Sequence, residues 1–196
     1  MNIRSRLKSL LALVLVLLTA TTGCSPQWIN VAVQDLPVLT QMALNIATLV
    51  STLASGKQAS VADVAVIQNI SSQASRDLNL LQTLYNDYKA NPSSATLQKI
   101  QNVISDLNQN LPALLQAAHI SNPTLSARIT AAVNLILSTV NSVASLMPPS
   151  SAATSRKIHA APLLRAADLK KQWNLQVCSP TGNTAMDTAF AESAIR

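Results

Sequence analysis

Apolar residues recur along this chain with a helical rhythm. Between Leu36 and Leu53 they stand at Leu36, Leu39, Ala43, Ile46, Val50 and Leu53. The same spacing of three and four residues runs through Ile67, Ile70, Ala74, Leu78, Leu81, Leu84 and Tyr88, with one double step of four and one of three. It returns in Leu97, Ile100, Ile104, Leu107, Leu111, Leu114 and Ala118, and again in Ile129, Val133, Ile136, Val140, Val143 and Met147. Such spacing keeps one face of a helix apolar, whereas a half-buried strand alternates every second residue. No alternation by two persists. Four segments of this kind predict an all-α protein, an antiparallel up-down four-helix bundle over residues 35–147 with a basic C-terminal extension.

The breaks between segments carry helix-start chemistry. Ser60-Val61-Ala62-Asp63 has the form of a capping box. Asn91-Pro92 and Asn122-Pro123 each offer an Asn cap with Pro at the first helical position. Pro112 inside the third segment removes a backbone donor and predicts a kink or a loosened end. The first and fourth segments, Leu36–Ala54 and Ile129–Met147, carry no charge and are long enough to span a bilayer. Each nevertheless has amide and hydroxyl groups along one side: Gln41, Asn45, Thr48 and Thr52 in the first, Asn134, Ser138 and Asn141 in the second. That pattern favours bundle helices over membrane spans.

Composition sharpens this picture. Only 3 % of residues are aromatic and three are glycine, so the core must be aliphatic and glycine-rich phosphate loops are excluded. The formal charge is +6, but from Cys24 to Pro149 the basic residues (Lys57, Arg76, Lys89, Lys99, Arg128) are matched by Asp35, Asp63, Asp77, Asp87 and Asp106. The surplus lies in the leader and in the tail, so the basic balance does not indicate a nucleic-acid partner. From Pro148 the chain reads as a linker, 148–161. The extension, 162–196, then offers one or two short helices, over Pro162–Leu175 and Ala185–Ile195. The first is basic and amphipathic, and either packs on the bundle or lies on anionic lipid.

Residues 1–23 have the build of an export signal. Arg4, Arg6 and Lys8 precede Leu10–Leu18, an apolar run too short to cross a bilayer. Thr21-Thr22-Gly23-Cys24 follows. This resembles the lipobox of bacterial lipoproteins, in which Leu, a small residue and Gly or Ala precede the cysteine; Thr21 stands at the Leu position. The resemblance implies cleavage before Cys24 and acylation of its thiol and amine. It implies a membrane partner through that lipid anchor, and residence in the cell envelope, at the periplasmic leaflet of the outer membrane in a Gram-negative source. Residues 24–34 are then expected to be a tether.

Candidate chemistry is sparse. His119 and His159 have no second His or Cys at ligand spacing, and no haem-attachment motif accompanies Met42 or Met147 as an axial ligand, so no metal or cofactor is expected. Asp77 sits beside the core stripe without a paired carboxylate. No serine is flanked as a hydrolase nucleophile requires. Cys178 is the one residue with unassigned chemistry: with Cys24 acylated it is an odd thiol, either free for an intermolecular disulfide or buried as a small apolar side chain. No catalytic residues are expected. The function expected is that of a non-catalytic structural or protein-interaction module with a protein partner. The alternative is a small-ligand carrier or sensor using the bundle interior.

Overall fold

A computed structural model describes residues 27–57, 59–118, 120–147 and 165–196. The leader, Cys24, both histidines and the 148–161 linker lie outside these residues. All regular structure among the described residues is helical. The helices are α1 (Gln27–Ser55), α2 (Val61–Ala90), α3 (Ser94–Ala117), α4 (Pro123–Ala144), α5 (Ala166–Gln176) and α6 (Thr184–Glu192).

The apolar stripes form the core. All six stripe residues of the first segment are buried, as are Ile67 to Leu84, Leu97 to Leu111 and Ile129 to Val143 at the stripe positions. Tyr88, Leu114, Ala118 and Met147, at the segment ends, are only partly buried against it. α1 packs on α2 and α4, and α3 packs on the same two helices. Between α1 and α2 the contacts run in opposite senses. Trp28 meets Tyr85 and Tyr88 by their rings, and further along α1 the Ala43 carbonyl accepts from the Ser71 hydroxyl of α2. α1 and α4 are each long and apolar enough to cross a membrane, yet half of each apolar window is buried within the bundle.

Helix starts follow local chemistry, with one exception. Ser60 Oγ accepts from Asp63 N at 3.1 Å, and Asn122 Oδ1 accepts from Leu125 N at 3.1 Å with Pro123 opening α4. Asn91, expected to cap the third helix, instead closes α2, donating its backbone N–H to the Asp87 carbonyl at 2.8 Å. Ser93 is the cap of α3, its hydroxyl accepting from Thr96 N at 3.1 Å. A residue before proline is pushed toward extended backbone, and here Pro92 lies outside the helix, so the start slips to the next capable side chain. Pro112 is tolerated inside α3, which continues to Ala117.

The first helix begins earlier than expected. Residues 27–34, within the stretch read as tether, are the opening turns of α1, and Trp28, Ile29 and Ala32 are buried in the core. The C-terminal extension forms two helices that are part of the same body. α5 packs on α1 and α4, and α6 packs on α1. Leu169, Trp173, Val177, Met186, Ala189 and Phe190 join the core, Trp173 being fully buried.

Candidate functional site

Two helix faces with small side chains leave an open groove between α2 and α3. Asn69 and Gln73 line one wall; Asn110, Ala113, Leu114 and Ala117 line the other, around a volume of about 500 Å3. Ala113 and Ala117 lie one turn apart, and their methyl groups are too short to fill the space between the helices. Ala117 also borders an adjoining pocket of about 190 Å3, lined by Ala62, Asp63, Val66, Ala118 and Ile120. Asp63 is buried there, and both its carboxylate oxygens accept from Ser121 N, at 3.2 and 3.3 Å. That bond ties the start of α2 to the α3–α4 connection and fixes the end of the groove.

The groove presents amides above an apolar floor. Gln73 is already oriented: its Nε2 donates to Asp77 Oδ2 at 2.8 Å, and its Oε1 accepts from Arg76 Nη2 at 2.7 Å. Asp77 thus sits half-buried beside the stripe and is engaged by an amide. Asn69 and Asn110 are exposed and make no side-chain hydrogen bond among the described residues. Such a surface offers hydrogen-bond donors and acceptors beside short apolar side chains.

A second feature has no counterpart among the candidate residues of the sequence. Asp35 is buried among Ala32, Leu36 and Leu39 of α1, Leu81 and Tyr85 of α2, and Val140 and Val143 of α4. Its Oδ2 has no hydrogen-bond partner among the described residues. Burial without a compensating partner pushes its carboxyl up to about 6, because desolvation penalises the charged form. The cavity beside it, about 10 Å3, has room for about one water. Tyr85 closes one side, its hydroxyl 4.0 Å from Met147 Sδ, and burial pushes its phenol above the ordinary range.

Among the described residues the candidate side chains of the sequence are not brought together. Cys24 and His119 lie outside the described residues. Met42 is fully buried in the core and Met147 lies against Tyr85. Cys178 follows α5, half-buried, with Sγ 3.5 Å from Ser193 Oγ. Burial pushes its thiol up, opposed by Ser193, Trp173 and Arg128. Among the described residues no three His, Cys, Asp or Glu side chains are placed to hold a metal ion. No protein-family model, curated protein or solved structure matches the chain.

Proposed function

We propose that this chain is an exported lipoprotein, acylated at Cys24 and held on a cell-envelope membrane, which serves as a non-catalytic protein-interaction module. The observation that carries the reading is the leader with Thr21-Thr22-Gly23-Cys24 standing directly before a folded helical body. In this reading the four long helices are an antiparallel up-down bundle. The opposed course of α1 and α2 and the packing of α3 against α2 and α4 support that arrangement. The α2–α3 groove is the surface offered to a protein partner, since its amides pair with backbone groups and its alanines admit a side chain. The space at Asp35 suits a water and not an organic ligand.

Mass spectrometry of the full chain from native membranes tests the anchor. The expected mass begins at Cys24 and carries acyl chains, and Cys24→Ser leaves the leader attached. A mature chain cut elsewhere, or an intact Met1, overturns the reading. A photo-crosslinker at Asn110 tests the interaction surface: a stoichiometric protein adduct is expected there and not at Gln98, an exposed residue earlier on α3.

A further inference from the structure

Cys24 stands three residues before Gln27, where α1 begins. Three residues reach at most about 10 Å. Acyl chains on Cys24 would therefore hold the start of α1 against the lipid, with no slack for the body to stand away. The same end of the molecule gathers three of the chain's five aromatic residues. Trp28 packs edge-on to Tyr85 with ring centroids 5.7 Å apart, and lies 5.8 Å from the partly buried Tyr88. Tyr85 in turn reaches Met147, just past the end of α4. The α2–α3 connection, Asn91-Pro92-Ser93, follows Tyr88 by one turn and carries no charge, as do the next residues up to Gln98. Trp and Tyr rings favour the level of lipid headgroups, where an apolar body and a polar edge are both satisfied.

We propose that this end of the bundle, formed by the start of α1, the end of α2 and the end of α4, seats directly on the bilayer, with the partly buried Tyr88 at the headgroup level and Trp28, 9 % exposed, packed just beneath it. The inference rests on the anchor at Cys24 proposed above and adds an orientation to it. Acyl chains supply the affinity; the aromatic end fixes which way the body points. α1, with 29 residues, is about 44 Å long. The pocket around Asp63 and Ile120 and the adjoining α2–α3 groove at Asn69 and Gln73 lie toward the other end of α2, so the groove stands clear of the membrane, within reach of a partner in the aqueous compartment.

Trp173 supplies an internal control. Its Nε1 and the Asn45 Nδ2 both donate to the Ser193 carbonyl, at 2.9 and 2.8 Å, which places it beside Asn45. Asn45 is about 26 Å along α1 from Trp28. The experiment uses the full acylated chain, its mass confirmed, in vesicles of phosphatidylcholine and phosphatidylglycerol that contain lipid brominated near the headgroup. In Trp173→Phe, Trp28 should lose clearly more emission than Trp173 loses in Trp28→Phe, as expected for a ring just beneath the interface and a raised one. An unacylated mass overturns the anchor and the seating together. An acylated chain whose Trp28 is unquenched overturns the seating alone. Equal quenching of both rings overturns it too, since α1 would then lie along or within the bilayer. If either variant fails to fold, an environment-sensitive dye on Ala90→Cys, compared with Ala62→Cys at the opposite end, both with Cys178→Ser to leave one free thiol outside the acylated Cys24, reads the same contrast. A blue shift at 90 and not at 62 supports the seating; equal spectra overturn it.

Discussion

Asp35 shows what one misplaced charge does to a helical core. Its neighbours from α1, α2 and α4 are aliphatic apart from the Tyr85 phenol, and among the described residues no basic group offsets its charge. The folded-state pKa of about 6 lies above the ordinary aspartate value of 3.8. A group shifted in this direction contributes stability that is full below about pH 4 and is lost as pH rises through about 6. The loss is on the order of 2–3 kcal/mol. Asp35→Asn should therefore flatten the pH dependence: denaturant titrations near pH 4 and near pH 7 should differ less in the variant than in the parent. An unchanged difference would mean that the carboxyl is solvated or paired. Burial of Asp35 was not legible in the sequence, because an acid beside Leu36 and Pro37 looks like the approach to a helix. The signal that would have found it is apolar. Ile29 and Ala32 extend the three-and-four spacing back from Leu36, and they place residue 35 inside a helix.

Helix interiors were more legible than helix ends. Nearly every stripe position of the four long segments became core, because a seven-residue apolar period leaves few other ways to remove those side chains from water. Ends depend on single side chains, and adjacent candidates compete. Asn91 and Ser93 both can cap, and the backbone bond from Asn91 N to Asp87 O commits the former to closing α2. Ser93→Ala should therefore cost about 1 kcal/mol, whereas Asn91→Ala should cost a few tenths by comparison. Thermal unfolding of the two variants checks this, and equal losses would return the cap to Asn91. Elsewhere a helix end uses backbone alone. Lys57 takes a left-handed conformation, φ 57°, just after Gly56, and its N–H donates to the Ala54 carbonyl at 3.0 Å. No side-chain rule identifies such an end, since a lysine rarely signals it.

At the scale of the molecule, the tail is a structural member held by a few directed contacts. α5 and α6 are short, and their apolar residues were too few to show a period; Trp173 and Phe190 carry their burial instead. Arg128, at the start of α4, donates to the Gln176 carbonyl at 2.6 Å and to the Ser179 carbonyl at 3.0 Å. Gln176 ends α5, where carbonyls lack helical partners and a cation is favoured. The guanidinium also lies 5.7 Å from the Phe190 ring centroid, so one side chain joins α4, α5 and α6. Arg128→Ala should weaken tail docking by roughly 1.5–3 kcal/mol, the range for hydrogen bonds to a charged donor. Cys178 reports the result, because it is half-buried, lies between Gln176 and Ser179 in the chain, and is the sole thiol in a chain starting at Gln27. Two effects oppose each other at that thiol. Loss of the Arg128 charge removes an influence that lowers the Cys178 pKa, which slows alkylation by reducing the thiolate. Loosening of the tail removes the burial that raises it and admits reagent, which accelerates alkylation. Opening by 1.5 kcal/mol alone is worth about tenfold in rate where reaction proceeds through the open form, so acceleration should dominate. Faster alkylation, with α1 to α4 unchanged in hydrogen exchange, would show that the tail detaches as a unit. Slower alkylation would mean that Arg128 acts on Cys178 through its charge and that the buried Trp173 holds the tail without it.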